Sequence, residues 1–320
     1  MSGYRGIWPA LVTPLNEDGT VNAAVTEGLV SALVAAGISG LYVCGSTGEG
    51  VLLSMAQRRE MAEVAIAAAN AAAHGRVPVM VHVGAINTEQ AVDLAQHANL
   101  AGADAIAAIP PFYFSYPHEA LRTHYAAIAE AAGGVPFYLY YIPRYTGNEM
   151  TPQQLADLCR MPGVAGIKFS YTDMIYFSQF MALRDPAVTN VLSGPDELHL
   201  TCAVLGADGA VGTNYNFAPR LFVDIRGAYD AGDLATARDL QFRANRIIGV
   251  LLKYGAVPTT RAICQRLGFA VGSAVPPMPT LAGDALKRLY HELDEAGLPA
   301  LLERPALYGP AGDAMRGRLA

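Results

Sequence analysis

The sequence predicts an α/β fold, a (β/α)8 TIM barrel with a C-terminal helical extension. Short apolar segments alternate with helical patterns, and those segments have the composition of strands buried on both faces. Such strands form parallel sheets covered by crossover helices, and eight units within about 215 residues fit a closed barrel. The predicted strands are, in order, "GIWPALVT", "GLYVCG", "VPVMVHVG", "ADAIAAIP", "VPFYLYYIP", "VAGIKFS", "TNVLSG" and "DGAVGT".

The segments between the strands support the alternation. Several strands are entered through a Gly, Pro or Asp turn, and the early strands stand about 30 residues apart, as strand–helix units do. The intervening helical patterns include "TEGLVSALVAAG", "MAQRREMAEVAIAAANAAA" and "TEQAVDLAQHANLAG".

A doubly wound open sheet is the rival fold. It is disfavoured because "TPLNEDGTVN" after the first strand lacks G-x-G-x-x-G, and "GSTGEG" lacks the spacing and lysine of a P-loop.

The pattern becomes wholly helical after the eighth strand. Residues 219–254 indicate two helices broken at Ala231–Asp233, and "PTTRAICQRLG" and "LAGDALKRLYHELDEAG" indicate two more. We therefore predict a barrel over residues 1–220 and a helical extension packed on it over residues 221–300. The tail, residues 301–320, is predicted either to be partly disordered or to cover a neighbouring surface.

Composition restricts the class of protein. The 320 residues are 52% hydrophobic and 16% charged, with a net charge of −6 and no basic block, which argues against nucleic acid as a partner. The apolar stretches are too short for a membrane span, and the first residues lack the regions of a signal peptide. Isolated cysteines without metal-ligand spacing predict reduced thiols in the cytoplasm and no metal; they are Cys44, Cys159, Cys202 and Cys264.

Polar side chains follow most of the predicted strands, at the end where barrels of this type carry active sites. Lys168 ends the sixth strand, where an isolated lysine would ordinarily extend to water. The other strand-end residues are Ser46, Thr47, Tyr113, Tyr140, Tyr141, Ser170, Asp196, Glu197, Thr213 and Asn214. Each side chain faces the same mouth if its strand parity points inward, so we expect Lys168 to lie among tyrosines and hydroxyls.

A lysine in such surroundings favours Schiff-base chemistry. The amine must be neutral to attack a carbonyl, and partial burial lowers its pKa. The imine then accepts electrons during C–C cleavage, without a metal or an organic cofactor. A tyrosine with a hydroxyl relay can move the required proton.

Four motifs resemble those of the pyruvate-dependent class I aldolase family, which includes dihydrodipicolinate synthase and N-acetylneuraminate lyase. The resemblance covers about residues 5 to 295, in the right order and on the right strands. The motifs are "CGSTGEG", "PFYLYYIP", "GIKFS" and "SGPDELHLTCAVLGADGAVGTNYN".

The resemblance implies a role for several residues. Lys168 matches the Schiff-base lysine and Tyr140, in Tyr-x-x-Pro, the catalytic tyrosine. Gly45, Ser46 and Thr47 match the loop that holds the pyruvyl carboxylate with backbone N–H groups, and Ser46 also joins the proton relay. Within the same loop, Glu49 is predicted to be structural and to satisfy loop amides or a neighbouring hydroxyl.

Two features distinguish between members of the family. Dihydrodipicolinate synthases carry an arginine five positions after the catalytic tyrosine; Tyr145 stands there, and Arg144 one residue earlier is a candidate substrate ligand. In "GPDE", Gly194, Asp196 and Glu197 match the Gly-x-Asp-Glu of sialic acid lyases, whose acid pair binds sugar hydroxyls.

Further substrate contacts are expected from three residues with less distinctive matches. Thr213 keeps the hydroxyl of the serine that is usual in sialic acid lyases, and Ser170 lies just beyond Lys168. Tyr141 is also a candidate, although it departs from the Asn or His that is common in the family.

The sequence therefore predicts a carbon–carbon lyase similar to N-acetylneuraminate lyase, which reversibly cleaves a polyhydroxylated 2-oxo acid to pyruvate and an aldehyde sugar. The alternatives are an aldolase or dehydratase acting on another 2-oxo acid such as 2-keto-3-deoxygluconate, dihydrodipicolinate synthase, and a non-catalytic metabolite-binding barrel. The resemblance also implies that Tyr113 reaches the active site of an adjacent subunit, in a homotetramer built from tight dimers.

Overall fold

The computed structural model describes residues 4–299, and these form a barrel of eight parallel strands surrounded by helices. Each strand lies within one of the eight apolar segments, so the predicted fold class is confirmed. The strands are β1 Gly6–Pro9, β2 Leu41–Val43, β3 Val79–His82, β4 Ala105–Ala108, β5 Phe137–Tyr141, β6 Val164–Phe169, β7 Asn190–Ser193 and β8 Gly209–Gly212.

Strands that are neighbours in the chain are also neighbours in the sheet, and β8 pairs with β1. The ring closes between β1 and β2, where the N–H of Leu11 donates to the carbonyl of Tyr42 at 2.8 Å. Among residues 4–299, closure leaves no unpaired strand edge. Because all strands are parallel, their carboxyl ends open at one mouth.

The helices alternate with the strands and then continue beyond β8. Side-chain caps at several of their N-termini satisfy backbone N–H groups that have no partner inside the helix. The helices are α1 Ala23–Ala35, α2 Met55–Ala71, α3 Thr88–Leu100, α4 His118–Ala131, α5 Pro143–Thr146, α6 Pro152–Cys159, α7 Met174–Leu183, α8 His199–Val204, α9 Pro219–Asp230, α10 Leu234–Tyr254, α11 Ala256–Arg266 and α12 Gly283–Glu295.

The break between α9 and α10 lies at the predicted position. Gly232 adopts a φ of 80°, and the Asp233 side chain accepts the N–H of Thr236 to begin α10. Helix α9 packs on β1 and on α10, so it links the barrel to the helices that follow. The divisions at residues 220 and 300 stay predictions, and the tail from residue 301 lies outside the described residues.

Side-chain alternation along the strands creates two cores. One fills the barrel and includes Trp8, Tyr42 and Tyr140; the other lies between the strands and the helices and includes Tyr141 and Phe169. Adjacent strand residues therefore belong to different compartments. This alternation decides which strand-end side chains reach the mouth.

Within residues 4–299, no single helix is both long and apolar enough to cross a membrane. The bent pair α10 and α11 meets the length and composition criteria together, with an angle of 115° between the two helices. The buried face of α10 packs on the barrel side of the molecule, against α8 and α9.

Candidate active site

Lys168 and Tyr140 meet because β5 and β6 pair in register. Tyr140 is the direct partner of Lys168 in the ladder, and both side chains point into the barrel. Lys168 is 3% exposed, and its Nζ lies 4.0 Å from the centre of the Tyr42 ring and 4.2 Å from that of Tyr140. The amine thus lies between two aromatic faces, where a positive charge is stabilised by the ring quadrupoles.

Burial also changes the protonation of Lys168. Removal from water disfavours the ammonium form and lowers the pKa of Lys168 to about 7, although the nearby charge of Asp196 opposes the shift. A lysine with that pKa has a large neutral fraction near neutrality. Neutral amine is the form that attacks a carbonyl carbon.

Imine formation with pyruvate should therefore depend on pH around 7. Neutral Lys168 increases as pH rises through its folded-state pKa of about 7, so the initial rate of adduct formation should rise about tenfold between pH 6 and pH 8 and then level off. The measurement is a timed incubation at each pH, followed by a common borohydride quench and intact mass. A rate that still climbs steeply above pH 9 would indicate an ordinary, solvated lysine.

A chain of hydroxyls leads away from Tyr140. Its Oη shares a 3.3 Å hydrogen bond with the Oγ of Ser46. Burial raises the pKa of Tyr140, while hydrogen bonds from Ser46 and Ser170 lower it and partly offset that effect. The predicted residues Ser46 and Ser170 are thus brought together around Tyr140, whose ring centre lies 4.2 Å from Lys168 Nζ. Such a chain can pass a proton between the mouth and the imine carbon.

The loop after β2 presents free backbone donors to the same mouth. The N–H groups of Ser46 and Thr47 make no hydrogen bond within residues 4–299. The hydroxyl of Thr47 is 2.7 Å from that of Thr213, which joins this loop to the end of β8. Gly45 is required because a Cβ there would lie 2.5 Å from the Tyr42 ring. Adjacent free N–H groups are a carboxylate-binding arrangement.

A buried ion pair holds this loop in place. Glu49 has a φ of 57° and a side chain that is fully buried. One carboxylate oxygen accepts from the Arg261 guanidinium at 2.6 Å, and the other accepts the N–H of Val275 at 2.6 Å. Arg261 also donates to the carbonyl of Thr13 at 2.8 Å. The C-terminal segment therefore fixes the loop through Glu49. The partners are Arg261 and the N–H of Val275, and not the loop amides or neighbouring hydroxyl expected from the sequence.

Removing Glu49 should strongly destabilise the fold. Glu49→Ala leaves the Arg261 guanidinium buried without its carboxylate, which costs about 3–5 kcal/mol in the free energy of unfolding. The measurement is urea unfolding followed by circular dichroism. The control is Asp157→Ala, which breaks the half-exposed Arg160 pair and should cost at most about 1 kcal/mol. Equal losses in the two variants would contradict the structural assignment of Glu49.

Asp196 is held from the end of β8, whereas Glu197 is partly exposed. One oxygen of Asp196 accepts the backbone N–H of Asn214 at 2.9 Å and its side-chain amide at 2.6 Å. The other oxygen, Oδ1, is buried without a partner among the described residues. Burial raises the pKa of Asp196 to about 6, and the Asn214 bonds oppose this. Gly194 abuts Ser170 so closely that a side chain there would collide with it.

Three predicted residues lie outside this group. Tyr141 points away from the barrel: its ring stacks on Tyr176 at 5.6 Å, because it is adjacent to the inward-facing Tyr140 and so has the opposite strand parity. Arg144 is exposed on α5, 5.8 Å from the Tyr145 ring. Tyr113 is 84% exposed at a φ of 86° in this single chain.

Sequence reasoning missed one residue that contacts Lys168, namely Tyr42, and one contact within the site, that of Asn214 with Asp196. Tyr42 lies one strand position before the outward-facing Val43, and its inward parity within "GLYVCG" is the signal that predicts contact with Lys168. Asn214 was recognised as a strand-end residue, but nothing in "GTNYN" shows that it binds Asp196. That contact depends on two turns meeting across β7 and β8.

Comparison with known proteins agrees with this geometry. Residues 3–296 match the model of the dihydrodipicolinate synthetase family. An N-acetylneuraminate lyase of Rhizobium meliloti is 37% identical over 94% of each chain, and that of Rattus norvegicus is 38% identical over 81% of this chain and 82% of its own. A catalytic lysine mutant of the Ruminococcus gnavus sialic acid aldolase superposes with a TM-score of 0.84 at 30% identity, covering 92% of this chain and 96% of that one. The chain belongs to the dihydrodipicolinate synthetase family.

Proposed function

We propose that this protein is a pyruvate-dependent aldolase that reversibly cleaves N-acetylneuraminate to pyruvate and N-acetylmannosamine. The observation that carries the proposal is a buried Lys168 with a pKa of about 7, in register with Tyr140. A neutral amine beside a proton-transfer group is what imine formation needs. The N-acetylneuraminate lyases among the relatives, similar over nearly their full length, supply the substrate.

In the first step, the lone pair of Lys168 Nζ attacks the ketone carbon of the open-chain 2-oxo acid. The carbonyl oxygen takes one proton from the amine nitrogen and one from the Tyr140 hydroxyl and leaves as water, so that an iminium and the Tyr140 phenolate remain. Tyr140 and Ser46 move these protons, since their hydroxyls are 3.3 Å apart. The ring faces of Tyr42 and Tyr140 then stabilise the iminium charge.

In the second step, the substrate hydroxyl two carbons away from the iminium carbon gives up its proton to the Tyr140 phenolate as the C–C bond breaks. The bonding electrons move to the iminium, which becomes an enamine, and the aldehyde sugar leaves. Protonation of the enamine and addition of water release pyruvate and restore Lys168. The hydroxyl proton passes through Tyr140 to the methyl carbon of pyruvate, and the water released in the first step is consumed in the last, so no external oxidant or reductant is needed.

The substrate lies along the mouth with its two ends bound by different groups. The carboxylate occupies the loop with free N–H groups at Ser46 and Thr47, close to Thr213. The polyol lies toward Asp196 and Glu197, because carboxylates accept several hydroxyl hydrogen bonds and would repel the carboxylate of an acidic aldehyde. The exposed position of Arg144 gives no support to dihydrodipicolinate synthase chemistry.

The test of this function is a pyruvate-release assay across sugar acids. We expect turnover of N-acetylneuraminate to exceed that of 2-keto-3-deoxygluconate, and no condensation of pyruvate with aspartate semialdehyde. Preferred turnover of either alternative would overturn the substrate assignment while leaving imine chemistry intact.

The four cysteines are buried as free thiols, which supports the cytoplasm as the compartment.

Tyr113 supports a proposal about assembly. Its ring is exposed next to Phe114, at a centroid distance of 4.8 Å, and its backbone is in a region that non-glycine residues rarely adopt. An exposed aromatic pair is a liability for a free monomer. In the proposed homotetramer of tight dimers, Tyr113 enters the adjacent subunit and completes the relay with Ser46 and Tyr140.

Mixing two inactive variants tests whether Tyr113 acts in trans. Chains of Lys168→Ala and Tyr113→Phe, dissociated and reassociated together, should regain about a quarter of wild-type activity, since half of randomly formed dimers are mixed and each has one intact site. Activity is measured as pyruvate release. Lys168→Ala mixed with Tyr140→Phe is the control, because both residues belong to one barrel and no intact site can form. If Tyr113→Phe is inactive and the first mixture recovers nothing, Tyr113 serves its own barrel.

A further inference from the structure

A buried glutamine of the C-terminal helices contacts the turn that carries the acid pair. The buried side chains of helix α10 face the barrel side of the molecule. All of them are apolar except Gln241. Gln241 is 6% exposed. A buried primary amide is unfavourable unless its hydrogen bonds are made, so its partners indicate why it is there.

Those partners are at the two ends of the acid-pair turn, residues 196–200. The Nε2 of Gln241 donates to the carbonyl of Asp196 at 3.0 Å, and its Oε1 accepts the N–H of Leu200 at 3.0 Å. The Leu200 N–H belongs to the first turn of α8 and has no acceptor inside that helix. One side chain therefore clamps both the start and the end of the turn.

A second residue extends this contact. Asn245, one helical turn along α10, accepts from Gln241 Nε2 at 2.8 Å and donates to the carbonyl of Glu197 at 3.2 Å. Both acidic residues thus have their backbone carbonyls fixed by α10. The Asp196 carboxylate is fixed separately by Asn214, from the inner side. Neither Gln241 nor Asn245 belongs to a contact with Lys168 or Tyr140.

We infer that Gln241 is a positioning residue for substrate specificity: by holding residues 196–200 against α10, it places the two carboxylates where the polyol of the sugar binds. This inference rests on the proposed function. It also gives the C-terminal extension two roles at the mouth, one through Arg261 on the carboxylate loop and one through Gln241 on the acid-pair turn. If Gln241 acts only through the position of the acid pair, its loss should weaken binding of the sugar and leave imine formation with pyruvate unchanged.

The experiment compares Gln241→Met with the wild type in the condensation direction. Loss of both amide bonds should raise the KM for N-acetylmannosamine by roughly 5- to 30-fold, while the KM for pyruvate and the borohydride-trapped adduct stay within about twofold. The matched control is Gln265→Met on α11, whose exposed amide donates to Gly272 and which should change neither constant. Thermal unfolding of each variant confirms that the assayed protein is folded.

Other outcomes distinguish a failure of the role inferred for Gln241 from a failure of the proposed function. If both KM values change together, or neither changes, Gln241 does not position the acid pair and the inference is overturned. If the wild type traps pyruvate but does not condense it with N-acetylmannosamine, the proposed function fails instead. Should Gln241→Met not fold, Gln241→Glu keeps the acceptor for Leu200 and loses the donor to Asp196, so it should show the same split in KM. If neither Gln241→Met nor Gln241→Glu folds, Gln241 is required for folding only and the inference is overturned.

Discussion

Lys168→Ala should release no pyruvate from any sugar acid and should form no adduct with pyruvate under borohydride. The reason is that the covalent imine requires a nucleophilic amine at the end of β6. Lys168 lies between Tyr42 and Tyr140, and burial lowers its pKa to about 7, so a large fraction of this amine is neutral near pH 7. Alanine removes the nucleophile while the barrel interior keeps its aromatic packing. Pyruvate release and intact mass after reduction measure the two effects.

The matched control for Lys168 is Lys253→Ala. Lys253 is exposed on α10 and paired with Glu292, which raises its pKa and keeps it protonated. That variant should trap pyruvate and turn over substrate as the wild type does. An adduct that maps to Lys253 by peptide mass, or one that persists in Lys168→Ala, would show that the Schiff-base assignment is wrong.

Tyr140→Phe should lower kcat by about 10²- to 10⁴-fold, because it removes the phenolic oxygen that gives a proton during imine formation and takes one during C–C cleavage. The ring face over Lys168 Nζ remains in phenylalanine, so the amine keeps its surroundings and adduct formation with pyruvate should continue at a reduced rate. Steady-state pyruvate release gives the loss in kcat. Borohydride trapping of the same sample shows whether the imine still forms.

A second inward-facing tyrosine of β5 provides the control for Tyr140. Tyr138 donates its hydroxyl to Asn190 at 3.0 Å, at the opposite end of the barrel from the mouth. Tyr138→Phe removes a comparable hydroxyl and should leave kcat within about twofold, at a cost in stability of about 1 kcal/mol. A loss in kcat that is equal in the two variants would mean that Tyr140 supports the fold rather than the relay.

A position at the end of a strand predicts that a side chain reaches the barrel mouth only when the residue also points inward, and the adjacent residue points the other way. Tyr140 and Tyr141 both end β5, but the pleat sends the first into the barrel and the second against Tyr176. Parity within "GLYVCG" also predicts an inward Tyr42, although nothing local shows that its ring would lie 4.0 Å from Lys168. Such a contact depends on how far apart β2 and β6 lie across the closed barrel.

The sequence by itself determined the eight strands, the helical C-terminal segment and the motifs that carry Lys168 and Tyr140, because these depend on local periodicity and short fixed spacings. Only the tertiary structure decided the long-range contacts: Glu49 with Arg261, Asp196 with Asn214, and Gln241 with the acid-pair turn. Each of these pairs joins segments far apart in the chain, and a buried polar group takes whichever partner the packed elements bring within reach. Burial also set the pKa of Lys168 near 7, and that depends on the closed barrel around the amine rather than on its neighbours in sequence.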